Sequence, residues 1–427
     1  MGLSRVCIAR EDSATRRQDG DVASILMLRL NQALRAASRA AIPRRRLLST
    51  LRPFLVEQYD GWFDGSDSLS SSECQPMTMR ELLSMADDDS RRQWIELSLG
   101  YPAFNTGSKF LRDTIAQQHA NLSADDGVNV CAPQEGISLA MKALLTPGDR
   151  VIATTPCYQS LTEVAKSIGC DVADWNPAFE SGRAWFDVEV LSKLLAESPS
   201  TKLVIANFPH NPTGALPSLD EFNAIIELCR KHGCKLFVDE MYRGLEHGGA
   251  SCRLPSVVDA YPEGGMTLNG LSKSYGLPGL RIGWLACHDK QVMKDVSILK
   301  DYHSICPPVP SEVLAHVAIS NRDEIQDIQQ RSVVAGLEMV KGFMKTHEEH
   351  FEWLEPSGGT FCFPKLRKGS TEMYAERLRV RSKLMVMPSS KFEAGDERLR
   401  VCYGSGVDVL GERLGRWSVD LRGAPPS

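Results

Sequence analysis

Short apolar segments alternate with segments of helical periodicity between residues 128 and about 305. Short runs rich in Val, Ile, Leu and Cys favour strands that are buried on both faces. The predicted strands span residues 128–131, 151–154, 202–206, 235–238, 266–269 and 282–287. Because strands that alternate with helices form a mostly parallel sheet covered by helices on both faces, the pattern predicts an α/β domain with functional residues at strand ends.

The pattern changes on both sides of this region. Periodicity over residues 323–347 predicts one long helix, and apolar segments at 359–363, 384–387 and 399–403 predict strands of a smaller α+β domain. Residues 51 to about 85 are interpreted as an arm that leads into this smaller domain. The predicted organisation is a disordered tail or targeting segment at 1–45, the arm with part of the small domain at 46–100, the large domain at 101–320 and the C-terminal small domain at 321–427.

Composition narrows the class of protein. The 427 residues carry a net charge of −5 with both signs mixed, so we expect no nucleic-acid partner. No run approaches the roughly 18 apolar residues that span a bilayer, so we expect no membrane segment. The twelve cysteines form no Cys-x-x-Cys pair and are interpreted as reduced core residues. His210 and His232 lack partners at metal-ligand spacing, so no metal site is expected.

The N-terminal segment leaves the location open. Residues 22–56 contain no acidic residue but seven arginines, with a weak amphipathic stripe of Leu and Ala. This composition is typical of an organellar transit peptide, although the acidic residues between 11 and 21 are unusual for one. Two interpretations stand. The protein is cytoplasmic with a disordered tail, or it is mitochondrial or plastid with a transit peptide within residues 22–50. In the second case, a translation start at Met27 would leave out the acidic residues that precede it.

Three motifs follow one another at the predicted strand ends. They are Asn-Phe-Pro-His-Asn-Pro-Thr-Gly at 207–214, Phe-Val-Asp-Glu-Met-Tyr at 237–242, and a Gly/Ser-rich turn with a lysine and a later arginine at 270–284. Their order and spacing resemble the signature of the class I/II aminotransferase superfamily of pyridoxal-phosphate enzymes. The resemblance covers residues 50–420 and implies a large domain with a sheet of the seven-stranded type between helices, plus a smaller domain.

The resemblance assigns roles around the cofactor ring. Pyridoxal phosphate needs a lysine amine for a Schiff base and an acid against its pyridine nitrogen, and Lys273 and Asp239 match these two residues. Lys273 must also take and return the substrate Cα proton, which calls for a lowered pKa. Tyr242 and Asn211 match the two hydrogen-bond donors to the phenolic oxygen, and Tyr158 matches the aromatic residue that stacks on the ring.

Further residues are assigned to the phosphate, the substrate and a second subunit. Arg281, Ser272 and Gln134 are expected to bind the phosphate, with Gln134 near the start of a helix at 132–136. Two positions depart from the commoner family pattern, because Pro133 lacks an N–H and Gly270 stands where many relatives carry a serine. Arg400 matches the arginine that binds the substrate α-carboxylate, while Arg398 is expected to be solvated. The resemblance also implies a homodimer, with Tyr101 reaching the neighbour's phosphate.

The motifs do not choose the reaction. Transfer of an amino group from an amino acid to a 2-oxo acid is the commonest activity in the superfamily. Segments at 60–64, 73–83 and 242–247 look more like a branch related to capreomycidine synthase, so a dehydratase, cyclase or lyase acting on a substituted, for example hydroxylated arginine-like, amino acid is the alternative. A dicarboxylate substrate would need a second cation, for which Arg243 is the positioned candidate, whereas a cationic substrate would need acids such as Glu73 and Glu246.

Overall fold

The computed structural model describes residues 51–59 and 65–423. The predicted tail at 1–45 and the candidate transit peptide at 22–50 lie outside the described residues. The strands in chain order are β1 (Asp67–Ser68), β2 (Val128–Cys131), β3 (Arg150–Thr154), β4 (Asp171–Trp175), β5 (Ala178–Glu180), β6 (Arg183–Trp185), β7 (Thr201–Asn207), β8 (Lys235–Asp239), β9 (Gly265–Gly270), β10 (Gly283–Cys287), β11 (Phe351–Glu352), β12 (Phe361–Cys362), β13 (Lys365–Leu366), β14 (Leu384–Met385), β15 (Met387–Pro388) and β16 (Leu399–Cys402).

The helices connect these strands. They are α1 (Leu55–Tyr59), α2 (Met79–Ser84), α3 (Asp88–Ile95), α4 (Lys109–Ala116), α5 (Pro133–Leu144), α6 (Ser160–Ile168), α7 (Val188–Glu197), α8 (Leu219–His232), α9 (Val257–Ala260), α10 (Lys290–Asp301), α11 (Val309–Ser320), α12 (Arg322–Thr346), α13 (Thr371–Ser382) and α14 (Val407–Gly423), with short 3₁₀ turns at Gly249–Cys252, Pro278–Leu280 and Ser389–Phe392. Within the described residues, no helix combines the length and the apolar character that crossing a bilayer requires.

A seven-stranded sheet dominates the fold. Its strand order is β2-β10-β9-β8-β7-β3-β4. All neighbouring strands run parallel except β10, which is antiparallel to both β2 and β9. The prediction of a mostly parallel sheet is therefore confirmed, and each of the six predicted strands is present. The seventh strand, β4, lies at the sheet edge, where its first four residues are exposed or half-buried and Trp175 is buried, so no apolar run marked it in the sequence.

Helices cover both faces of this sheet, as predicted. Along β3, Val151 and Ala153 pack with α5 and α6 on one face, whereas Ile152 packs with α7 and α8 on the other. This alternation follows from the two-residue period of a strand. Complete burial of a side chain such as Ile152 stabilises the fold by about 1.5–3 kcal/mol, so the hydrophobic cluster on each face contributes to stability.

Arg400 lies in a smaller sheet near the C-terminus. This sheet has the order β12-β16-β15, with the arginine on the central strand. The predicted long helix is present as α12 and packs beneath these strands. The predicted strand at 384–387 divides into β14 and β15 because its two halves pair with different partners, β1 and β16. The proposed domain boundaries stay a prediction.

Candidate active site

The carboxyl ends of β7, β8 and β9 open into one cavity of about 400 Å³. Ends of parallel strands meet at the same sheet edge, so motifs that are far apart in the sequence come together there. The cavity is lined by all the predicted site residues except one: Lys273, Asp239, Tyr242, Asn211, Tyr158, Arg281, Ser272, Gln134 and Arg400. The exception is Tyr101, whose side chain is 87% exposed and lies outside the lining.

Asp239 is a buried carboxyl at the end of β8. The N–H of Met241 donates to its Oδ1 at 3.1 Å, and the Asn207 side chain donates to its backbone oxygen at 2.9 Å. Loss of water around the carboxyl raises the pKa of Asp239 to about 7. A carboxyl in this position ionises fully only when a cation lies beside it.

Lys273 lies in the turn after β9. Its Nζ donates to Ser72 Oγ at 3.0 Å. Burial lowers the pKa of Lys273, and the positive charge of Arg400 lowers it further. A lysine whose charged form is disfavoured in this way supplies the neutral amine that acts as a nucleophile or as a base.

Arg400 and Asn211 meet across the cavity. Arg400 is 2% exposed, and its Nη1 donates to Asn211 Oδ1 at 3.1 Å. A second N–H of the guanidinium donates to the backbone oxygen of Ser70. Because its oxygen is occupied by Arg400, Asn211 has its NH₂ group left to donate to a ligand.

Tyr242 supplies a further donor beside Asn211. Its ring packs edge-on against Phe361, with the ring centroids 4.8 Å apart. Burial raises the pKa of Tyr242 above its ordinary value, so the phenol keeps its proton over the physiological range. The two side chains are suited to hydrogen-bond one ligand oxygen.

The start of α5 faces the same cavity. Gln134 lies in the first turn of this helix and accepts a hydrogen bond from Ser160 at 3.2 Å. Ser272 is buried, and its hydroxyl has no hydrogen-bond partner within the described part of the chain. Arg281 lies on the exposed side, with Nη1 donating to the Pro278 oxygen at 3.0 Å. A helix start, an unpaired hydroxyl and an arginine form an arrangement that suits an anion.

The two departures from the family pattern are neighbours in space. A Cβ on Gly270 would lie 2.9 Å from Gly283 Cα and 3.2 Å from Pro133 Cγ. A side chain at position 270 therefore requires a shift of the neighbouring β10 backbone, and Pro133 is one further close contact. Ser272 provides the hydroxyl that this side of the cavity retains.

Comparison with known proteins decides the family. A family model described as aminotransferase class I and II matches residues 99–410. The chain belongs to this family.

Individual relatives include both aminotransferases and cyclases. A PLP-dependent aminotransferase from Streptococcus suis 89-1591 superposes with a TM-score of 0.80 at 25% identity, covering 88% of this chain and 100% of that one. Capreomycidine synthase from Streptomyces vinaceus is 27% identical over 383 residues, or 87% of this chain and 95% of the relative. The PLP-dependent cyclase OrfR superposes with a TM-score of 0.79 at 28% identity, covering 89% and 98% of the two chains.

The cofactor of this aminotransferase family is pyridoxal phosphate, and the cavity fits it. Within the described residues the buried carboxyl of Asp239 forms no ion pair, and a protonated pyridine nitrogen beside it would favour the ionised form. The unpaired hydroxyl of Ser272 lies where the start of α5 and Arg281 can hold a phosphate. A volume of about 400 Å³ is in the range of small-molecule sites. We expect Asp239, Tyr242 and Asn211 to hold the ring.

The two tyrosines assigned to the cofactor, Tyr158 and Tyr101, lie in different places. Tyr158 lines the cavity, where its hydroxyl donates to Glu57 at 2.9 Å and its ring packs 4.9 Å from Phe54. That position is compatible with stacking on a cofactor ring. Tyr101 would act in a neighbouring subunit, so its role in this family member stays a prediction.

One expectation about a charged residue is corrected, and two candidates for the substrate side chain lie away from the cavity. Arg398 is half-buried rather than solvated, because its guanidinium lies 3.9 Å from the centroid of the Phe179 ring and donates to the Phe363 oxygen. Arg243, the candidate second cation, lies outside the lining and donates to the Leu254 oxygen. Glu246 is buried against Arg253 at 3.1 Å and is not available to a substrate. Glu73, by contrast, lines the cavity.

Glu57 and Ser72 also line the cavity, although no sequence motif marked either of them as a site residue. Glu57 belongs to residues 51–59, which we call the strap, and this segment was assigned only to an arm. Ser72 ends a run of serines without a motif. The one signal for Glu57 was that it is the first acidic residue after the acid-free segment 22–56.

Proposed function

We propose that the protein is an aminotransferase that transfers the amino group of an amino acid to a 2-oxo acid with pyridoxal phosphate. The observation that supports this most strongly is the meeting of Lys273, Asp239 and Arg400 in one cavity. The lowered pKa of Lys273 favours its neutral amine, and Arg400 is a cation already held in place. These are the requirements for binding an amino acid by its carboxylate and removing its Cα proton.

Each residue has a defined task in this proposal. Arg400 binds the α-carboxylate through two parallel N–H groups and so orients the Cα–H bond. The Lys273 amine takes the proton from Cα, and Ser72, which is hydrogen-bonded to it at 3.0 Å, orients the amine. Bound pyridoxal phosphate supplies an electron-withdrawing ring that stabilises negative charge at Cα. Ionised Asp239 keeps the ring nitrogen protonated, while Tyr242 and Asn211 donate to the phenolic oxygen.

A dehydratase, cyclase or lyase activity is the second candidate. It is favoured by the similarity to capreomycidine synthase over 95% of that relative and to the cyclase OrfR. The same lysine, aspartate and arginine would serve either route up to loss of the Cα proton. In transamination the amino group stays with the enzyme until a 2-oxo acid takes it. In the alternative it leaves with the product.

An experiment without any 2-oxo acid separates the two candidates. The holoenzyme is mixed with a panel of amino acids, and its visible absorption is followed. An aminotransferase loses its absorption band once per site and regains it when 2-oxoglutarate or pyruvate is added. Continued turnover without a 2-oxo acid, with release of water, ammonia or a cyclic product, would contradict transamination and support the alternative.

A variant pair tests the assignment of Lys273 in the same assay. Lys273→Ala should lose the link to the cofactor that borohydride reduces to a stable amine, and all turnover. Lys294→Ala removes an exposed lysine outside the cavity and should keep both. A Lys273→Ala protein with normal turnover would show that another amine holds the cofactor.

A further inference from the structure

The cavity lining contains more acidic residues than the proposed reaction uses. Within the described chain, its basic lining residues are Lys273, Arg281 and Arg400, and its acidic ones are Glu57, Glu73 and Asp239. The proposed function uses every one of the basic residues, for the cofactor link, the phosphate and the α-carboxylate. It uses only Asp239 among the acids. Glu57 and Glu73 are left to face the rest of the substrate.

Glu57 is held in the cavity wall by the strap. Its Oε1 accepts a hydrogen bond from Tyr158 at 2.9 Å. The backbone N–H of Leu55 donates to Gln159 at 2.9 Å, and Gln159 donates back to the Pro53 oxygen at 3.0 Å. Val56 is buried against Met387 and Phe392. These contacts on both sides of residue 57 fix its position relative to the cavity.

Glu73 approaches the cavity from another segment. It is half-buried and follows Ser72, the hydrogen-bond partner of the lysine amine. Its carboxylate makes no hydrogen bond or ion pair with the residues that the structure describes. Glu73 and Glu57 both line the cavity that holds Lys273, so the two residues border the same interior space.

Independent features show that this space is built for a ligand. Arg400 is 2% exposed, lines the cavity and has an Nε without a partner in the described part of the chain. The buried hydroxyl of Ser272 is likewise unpaired there. Among the described residues, an acidic substrate side chain would find no second cation in the lining, since Arg243 is directed to the Leu254 oxygen. It would also be repelled by two carboxylates in a partly desolvated space.

We propose that Glu57 and Glu73 bind a cationic group at the end of the substrate side chain, so that the amino acid carries a guanidinium or an ammonium. This inference rests on the proposed function, because it assumes that Arg400 binds the α-carboxylate. Glu57 and Glu73 are then specificity-determining residues. A carboxylate suits a guanidinium best, because the planar group can donate two parallel hydrogen bonds to it.

Two carboxylic acids that cannot react provide the test. The compounds 5-guanidinopentanoate and 5-ureidopentanoate have the same length and carboxylate but differ in the charge at the far end. Calorimetry on the holoenzyme should show that the guanidino compound binds about 10-fold more tightly, in keeping with one partly exposed charge-assisted contact. Glu57→Gln and Glu73→Gln should each reduce this ratio, and the double variant should bring it close to one.

Controls separate this inference from the proposed function. Glu197→Gln changes an exposed acid outside the cavity and should keep the ratio. The double variant should also lose any preference for L-arginine over L-citrulline in the spectral assay, measured as the ratio of their KM values. A ratio that is unchanged in the double variant would overturn the inference, as would glutamate or leucine reacting better than arginine and lysine. If no amino acid alters the spectrum, the proposed function fails and the inference fails with it.

Discussion

At the scale of single residues, Asp239 shows how the cavity depends on its ligand. Its carboxyl is buried, and desolvation raises its pKa from 3.8 to about 7 when no pyridinium lies beside it. Between these two values the folded, cofactor-free chain binds a proton that the unfolded chain releases. Stability contributed by this group is therefore present at low pH and is lost as the pH rises through about 7.

We predict that cofactor-free protein becomes less stable between pH 5 and pH 7.5 and that Asp239→Asn removes part of this loss. The expected difference between the two proteins is roughly 2–3 kcal/mol, from about two units of the pKa difference. Urea unfolding at both pH values measures it. Adding pyridoxal phosphate should abolish the difference in the native protein, because the pyridinium favours the ionised carboxylate. An equal pH response in both proteins would show that Asp239 is ionised without the cofactor.

At the scale of elements, the strap joins two separate parts of the chain. Arg52 donates to Glu163 at the start of α6 at 2.7 Å and to Glu393 after the 3₁₀ turn Ser389–Phe392 at 2.6 Å. Each carboxylate accepts two hydrogen bonds from the guanidinium. Because the Arg52 side chain is 49% exposed, the solvent screens these ion pairs. Arg52 thus anchors the beginning of the strap, and we infer that it helps to position Glu57, which lies further along the same segment.

Replacing Arg52 should affect substrate binding more than the chemical step. Arg52→Ala is expected to raise KM by roughly fivefold, as for the loss of about 1 kcal/mol, and to leave kcat nearly unchanged. Arg52→Lys should restore only part of the affinity, since an ammonium lacks the planar fork. Arg91→Ala, which removes an exposed arginine on α3, serves as the control. Steady-state kinetics decides, and a fall in kcat with constant KM would contradict a positioning role.

Some elements could be predicted from the sequence for a physical reason, and others could not. The motifs at 207–214, 237–242 and 270–284 follow apolar strands, so their convergence follows from the geometry of a parallel sheet. The family resemblance identified Arg400, but the shielding of Arg398 comes from Phe179 on β5, far away in the chain. The same limit applies to the strap, whose contacts join Arg52 to residues 111 and 341 positions away.

At the scale of the whole molecule, large apolar side chains are exposed between residues 95 and 104 and again at residues 302–305, directly after α10. They are Ile95 at 81%, Leu99 at 82%, Tyr101 at 87%, Phe104 at 55%, Tyr302 at 86% and Ile305 at 54%. Exposed apolar residues in such numbers favour a protein interface. They accord with the expected homodimer, in which Tyr101 would complete the neighbour's site.

We predict that two defective variants complement each other. If Tyr101 serves the other subunit, a mixed dimer of Lys273→Ala and Tyr101→Phe has one complete site. After random exchange of subunits, about one quarter of the normal sites should then be active. The activity of the mixture measures the fraction of active sites, and sedimentation measures the mass of the protein. In the control mixture, Tyr302→Phe replaces Tyr101→Phe. A monomeric protein, or a mixture no more active than its parts, would place Tyr101 outside the site.

The hydrogen bond between Arg400 and Asn211 has a consequence for how tightly the cofactor is held. One partner is expected to bind the substrate carboxylate and the other the cofactor, and 3.1 Å separates their bonded atoms. A ligand that fixes either side chain reduces the freedom that the other would lose on binding. Such coupling is reciprocal: if the cofactor increases the affinity for an amino acid, the amino acid increases the affinity for the cofactor by the same factor. A substitution at either position should therefore change both the retention of the cofactor and the affinity for the substrate.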